Sequence, residues 1–281
     1  MIQLVGFDGD DTLWHSEFYY RAANEAFEAI VGRYVDLADA GLHDRLLATE
    51  RRNIKLFGYG AKGMTLSMLE AAFEVTGGRI GAADLHRIVG IGKEVMTHPV
   101  ELLPGIREAV EAVAREHRVV LITKGDLFHQ EAKVRACGLA DLFQRIEIVS
   151  EKDAATYGRV LGEFSLASHD FAMVGNSLRS DIEPVLRLGG WGVHMPYHVT
   201  WAHELEHGLE ASHASHMETV ETAAQIPAAI GLLEARRRVH RVAEKRYLAL
   251  EAPDFAGYER ARMQARAELG CVPVPAQEAA A

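Results

Sequence analysis

The chain has 281 residues, enough for one large domain or two of unequal size at roughly 100–200 residues per domain. Apolar residues make up 48% and charged residues 25%, the balance of a soluble globular protein, which excludes collagen-like and disordered chains. Thirty Lys and Arg against forty Asp and Glu give a net charge of −10, which argues against a general nucleic-acid binder, because phosphate backbones need a positive face.

The opening, MIQLVGFDGDD, brings carboxylates before any long apolar stretch, unlike a signal peptide. No run reaches the ~18 apolar residues of a membrane span. Two cysteines, Cys137 and Cys271, cannot build a disulfide framework, and no C-x-x-C spacing is present. The expectation is a cytoplasmic protein that engages neither membrane nor nucleic acid.

The first apolar run, Ile2–Phe7, stops abruptly at Asp8. From Ser16 to Thr97 the apolar residues then keep a helical period, predicting helices over Ser16–Gly32, Ala38–Phe57, Lys62–Val75 and Ala83–Thr97. The stripe Phe18, Ala22, Phe27 and Ile30 predicts the inner face of the first of them. Pro99, Pro104 and Gly105 punctuate the return to alternating elements. Strand runs follow at Arg118–Thr123, Arg145–Val149, Asp170–Gly175 and Trp191–Met195. Helical patterns at Gly105–His117, Leu127–Cys137, Lys152–Leu161 and Leu178–Leu188 accompany them. This alternation predicts an α/β fold with a doubly wound parallel sheet, carrying a helical domain inserted after strand 1. The parts are a core of residues 1–14 and 100–230, an insert of 15–99, and a C-terminal helical extension of 231–281. The extension carries a helix over Glu234–Leu250 with a basic cluster (Arg236, Arg237, Arg238, Arg241, Lys245, Arg246). We read this as a solvated face, with a docking surface as the alternative, followed by a fraying tail, CVPVPAQEAAA.

Chemistry concentrates at the strand ends. Asp8 and Asp10 flank one residue in FDGDDTLW, at the carboxyl edge where open α/β sheets bind ligands. Two carboxylates so close repel each other unless a proton or a hard cation such as magnesium lies between them, and the plainer alternative is a helix N-terminal cap with spare acids. Thr123 ends the second strand, Lys152 follows the third, and GNSLRSD after the fourth ends at Asp181. A hydroxyl, an ammonium and a third carboxylate around an Asp pair are what phosphoryl transfer to a carboxylate needs.

These residues resemble the four ordered motifs of the haloacid dehalogenase (HAD) superfamily: Asp8-x-Asp10-x-Thr12, Thr123, Lys152, and Gly175-Asn176-x-x-x-x-Asp181. The resemblance covers residues 1–14 and about 100–230, and the insert matches that superfamily's cap inserted after the first strand. It implies that Asp8 is the nucleophile, Asp10 the acid and base, and that Thr123, Lys124, Lys152 and Asn176 hold phosphoryl oxygens. It further implies Mg2+ between Asp8, the backbone carbonyl of Asp10, and Asp181. Acting as an acid at neutral pH, Asp10 would need an environment that favours its protonated form. Asn176 departs from the usual Asp and Asp11 from the usual Gly; Asp11 either caps the next turn or adds charge near the metal. In the dehalogenases proper the acid at position 10 is absent, and in the phosphonate-cleaving branch a small residue replaces it. Asp10 therefore points to a phosphatase acting on a small phosphorylated metabolite, with a phosphomutase or a catalytically silent binding protein as alternatives. The oligomeric state is left open.

Three further patterns carry competing readings. GYGAKG (residues 58–63) fits a dinucleotide fingerprint, but no strand precedes it. It is either a plain connector or a loop that brings Tyr59 or Lys62 over the site. The H-E-x-x-H of His203 and His207, with His194, His198, His213 and His216 nearby, matches a zinc-peptidase pattern but falls outside the strand-end cluster, so solvated histidines are expected. Trp14 either lines the entrance or packs inside.

Overall fold

The computed structural model describes residues 1–198, 215–248 and 255–269. Its framework is one parallel six-stranded sheet: β1 (Leu4–Phe7), β2 (Arg118–Lys124), β3 (Arg145–Val149), β4 (Phe171–Gly175), β5 (Trp191–His194) and β6 (Met217–Thr219). The spatial order β3-β2-β1-β4-β5-β6 puts β1 at the centre, with the chain first winding to one side and then crossing to the other. That reversal opens a crevice at the carboxyl ends of β1 and β4. Alternate strand residues serve opposite faces. Val5, Phe7, Val119, Leu121, Ala172 and Val174 join one apolar cluster, with Ile106, Val110 and Val134. Leu4, Val120, Ile122, Phe171 and Met173 join the other, with Tyr157, Val160 and Val185. Both strand faces are thus covered, which explains why the runs read as continuously apolar. The first cluster is built with α6 (Ile106–Ala114) and α7 (Leu127–Ala136), and the second with α8 (Ala154–Glu163) and α9 (Glu183–Arg187).

Five helices fill the insert: α1 (Glu17–Val31), α2 (Leu37–Ala40), α3 (Leu42–Phe57), α4 (Ala61–Val75) and α5 (Ala82–Thr97). Gly41, in the left-handed region at φ 56°, breaks the single helix expected over Ala38–Phe57 into α2 and α3. The insert has its own core around Phe27, Val31, Met68 and Ile88. One expectation is corrected here. Phe18 and Ala22 are exposed, and the inner face of α1 is instead Ala23, Phe27, Ile30 and Val31. Phe27 and Ile30 do face inward, but Phe18 sits outside under the Arg21 guanidinium. The two linkers run side by side where the insert joins the core. Leu103 donates its N–H to the Leu13 carbonyl at 2.9 Å, and His15 donates to Glu101 at 3.0 Å.

Three features lay beyond the sequence reading. β6 has only three residues, too few for a periodic signal. After α10 (Ile226–Leu248) comes a further helix, α11 (Phe255–Glu268), whose Ala261 and Ala265 pack on Val239 and Ala243; alanines give little hydrophobic contrast. The basic cluster is not uniformly solvated. Arg238 and Arg241 are exposed, but Arg237 is buried. It donates to the His169 carbonyl at 2.6 Å and pairs with Asp170, while Arg236 pairs with Glu218 and donates to the Met217 carbonyl at 3.1 Å. These two cations fasten α10 to β6 and to the residues preceding β4. No described helix is long and apolar enough to cross a membrane.

Candidate active site

One cavity lies between the carboxyl edge of the sheet and the insert. Asp8, Asp10, Lys124, Lys152, Asn176 and Asp181 line it from the core. Glu17, Tyr20, Glu50, Ile54 and Tyr59 line it from the insert. Asp8 is the residue directly after β1, held by its N–H to the Val174 carbonyl at 2.9 Å, and it is buried. Its Oδ2 accepts from Thr12 Oγ1 at 3.1 Å, and the same hydroxyl lies 3.4 Å from the carboxamide oxygen of Asn176. Lys152, also buried, inserts its ammonium between Asp8 Oδ1 and Asp181 Oδ1, the latter at 2.7 Å. Burial works against the Lys152 charge, but Asp181 and Asp8 outweigh it and hold this ammonium above its ordinary range. The Asp8 carboxyl is pushed up to about 7 by burial and by the charge of Asp181, against the pull of Lys152.

Asp181 reaches this point from a π-helical turn, Leu178–Ile182, an irregularity that recurs at functional sites. Ser177 opens the turn by accepting from Ser180 N–H at 3.0 Å, and its own N–H donates to Asp181 Oδ2 at 3.0 Å. Gly175 makes the approach possible, since a Cβ there would fall 2.2 Å from Asp181 Oδ2.

Asp10 has the densest set of donors. Trp14 Nε1 reaches Oδ1 at 2.5 Å, Lys133 Nζ reaches the same oxygen at 2.7 Å, and Gln130 Nε2 reaches Oδ2 at 3.2 Å. Burial raises the Asp10 carboxyl, but Lys133, with Trp14 and the nearby His129, brings it below its ordinary value. These donors favour ionised Asp10, opposite to the environment an acid at neutral pH requires. Trp14 is fully buried and serves as a partner of Asp10. Thr123 is fully buried and stays behind the cavity wall, where Gln130 Nε2 donates to its hydroxyl at 2.7 Å. Neither Gln130 nor Lys133 stood out in the sequence; the available signal was a Gln-x-x-Lys on the helix that follows the Thr123 strand, two polar residues sharing one helical face.

Asp11 caps the following helix. Its Oδ1 accepts from Ser16 N–H at 2.8 Å and from Glu17 N–H at 3.1 Å, so its side chain turns toward α1. The GYGAKG loop closes over the core. Tyr59 donates its hydroxyl to Glu151 at 2.6 Å, its ring lies 4.2 Å from the Lys124 ammonium, and Lys62 pairs with Asp126 at 3.0 Å. The H-E-x-x-H segment and His213 lie outside the described residues. His194 bonds the Asn176 carbonyl at 3.0 Å, and His216 stacks on Trp191 at 4.6 Å.

Residues 2–189 match the family model of haloacid dehalogenase-like hydrolases. The chain belongs to that family. A structure of a haloacid dehalogenase-like family hydrolase from Xanthomonas campestris is 55% identical, with a TM-score of 0.75, covering 84% of this chain and 93% of that one. A 2-haloacid dehalogenase from Pseudomonas syringae is 19% identical (TM-score 0.54), covering 82% and 99%. The HAD hydrolase YfnB from Bacillus subtilis, solved bound to magnesium, is 13% identical (TM-score 0.53), covering 82% and 98%. The last two likenesses concern the fold alone. Among curated proteins none matches. The strand-end cluster is accordingly the candidate active site of a HAD-like hydrolase.

Proposed function

We propose that this hydrolase is a phosphatase that cleaves a small phosphomonoester through an aspartyl-phosphate on Asp8. The observation that carries the reading is Asp10, a second carboxylate in the same cavity, held at both oxygens by donors. Carbon–halogen cleavage has no alkoxide to protonate, whereas ester cleavage does. Asp8 attacks phosphorus and the bond to the leaving oxygen breaks; the Asp10 carboxyl gives its proton to that oxygen. Water then attacks the aspartyl-phosphate and passes a proton to Asp10, the bond between phosphorus and Asp8 breaks, and phosphate leaves. An arriving phosphoryl dianion raises Asp10 toward its protonated form, because like charge disfavours the carboxylate. The ammonium of Lys152, with Lys124 and Asn176 beside it, offsets charge on the phosphoryl oxygens.

Magnesium fits the residues present. Two buried carboxylates, Asp8 and Asp181, share one ammonium, and the neighbouring Asn176 carboxamide adds a hard oxygen. Magnesium is usually held by one or two carboxylates with water, and Asp8 with Asp181 provides that pair. When bound, it would screen Asp8 from the phosphoryl oxygens.

The test is phosphate release from ethyl phosphate, sugar phosphates and p-nitrophenyl phosphate, with and without magnesium, beside halide release from 2-chloropropionate. Magnesium-dependent phosphate release lost in Asp8→Asn is the expected result. Halide release without phosphate release would replace the reading with dehalogenation.

A further inference from the structure

Helix α7 starts at a firm cap. Asp126 accepts from His129 N–H at 3.0 Å, which fixes the first turn. Gln130 and Lys133 follow at positions i and i+3, on one face, and both side chains run inward; Gln130 is 2% and Lys133 8% exposed. Burying a lysine is costly unless its charge is paired. Here it meets Asp10 Oδ1 at 2.7 Å and Ser16 Oγ at 3.3 Å. Oδ1 receives Trp14 as well, so its acceptor capacity is taken by two short bonds. Oδ2 receives only the longer contact from Gln130 at 3.2 Å. The Gln130 amide nitrogen must be the atom facing Asp10, since its oxygen there would repel a carboxylate. Its second N–H goes to Thr123, which leaves the Thr123 proton to donate elsewhere.

We propose that Lys133 and Gln130 are positioning residues for proton transfer. Together they clamp the Asp10 carboxyl so that Oδ2 is the oxygen that exchanges a proton with the leaving group and with water. The inference rests on the phosphatase reading above and adds two residues that act through Asp10; Gln130 also lines the cavity, whereas Lys133 does not. A misplaced proton donor is costly: about 1 Å of displacement can lower a rate about 10²-fold.

The test is kcat/KM, which covers the step in which the leaving group departs, measured with magnesium on ethyl phosphate and on p-nitrophenyl phosphate. An alkoxide needs a proton to leave and a nitrophenolate does not. Lys133→Met is expected to lower kcat/KM about 10²-fold for ethyl phosphate and less than about tenfold for p-nitrophenyl phosphate. Lys133→Arg should recover part of the loss. Gln130→Leu should show the same asymmetry in milder form, and it decides the matter if Lys133→Met does not fold. Equal slowing of both substrates, the mark of a merely structural role, or no slowing of either, would overturn the proposal while leaving the phosphatase reading in place. A wild type that releases phosphate from neither ester, nor from the sugar phosphates, overturns both.

Discussion

Asp11 stands before Thr12, where the family commonly carries glycine, and its backbone is in the left-handed region at φ 61°. Asp and Asn tolerate that region better than most side chains, and here the carboxylate recovers some of the cost by capping α1. Burial, then the charge of Asp10, push the Asp11 carboxyl up to about 7 from an ordinary 3.8. Between those values the native protein binds a proton that the unfolded chain has released. This contribution to stability is therefore present below about pH 4 and lost as pH rises through 7. Asp11→Asn keeps the caps and lacks the titration. Its urea midpoint, measured against wild type at pH 5 and pH 8, should gain on wild type at the higher pH, and a difference independent of pH would contradict this. Arg237 presents a simpler case. It pairs with Asp170 in a buried setting, and Gln3 Nε2 also donates to that carboxylate at 2.9 Å. Removing one partner of a buried pair typically costs about 3–5 kcal/mol. Arg237→Ala should lose stability of that order in denaturant titration, with kcat at permissive temperature unchanged because Asp170 lies at the opposite edge of the sheet from Asp8.

At the scale of elements, the loop between α3 and α4 joins insert to core. Gly60, at φ 106°, comes so close to Asp126 that a Cβ would fall 3.2 Å from its backbone nitrogen. Tyr59 and Lys62 then reach the loops after β3 and β2. Each such bond contributes about 1 kcal/mol net, so Tyr59→Phe should raise KM several-fold by loosening closure, with a smaller effect on kcat. An unchanged KM would make the loop a plain connector. These elements also mark how far the sequence could be read. Asp8, Lys124, Lys152 and Asn176 were legible because each follows an apolar run at a strand's carboxyl end, and one sheet edge must collect them. Gln130 and Lys133 were not, because a polar residue inside a helix pattern looks like any solvated position until packing turns its face inward. For the same reason Arg237 passed for a surface charge, and the inner face of α1 was misjudged by about one position. The break at Gly41 depended on a single backbone angle that composition does not reveal.

At the scale of the molecule, the sheet order brings β1 and β4 together, so the nucleophile loop and the loop carrying Asp181 face each other across the switch point. The insert closes over that crevice with its own core, and the paired linkers at Leu13–His15 and Glu101–Leu103 carry the chain between them. The same division puts the strand-end side chains on one wall of the cavity and Glu17, Tyr20, Glu50, Ile54 and Tyr59 of the insert on the other. Helices α10 and α11 lie apart from the cavity and contribute no lining residue among those described. In the proposed mechanism phosphorus becomes bonded to Asp8. It is tested most directly by mixing the magnesium-loaded enzyme with a hydrolysed phosphomonoester, quenching in acid within the first turnover, and mapping the added phosphoryl mass by peptide mass spectrometry. One phosphoryl group is expected on the peptide containing Asp8, absent in Asp8→Asn. A phosphoryl group on any other residue, or turnover by the Asn variant at the wild-type rate, would contradict it.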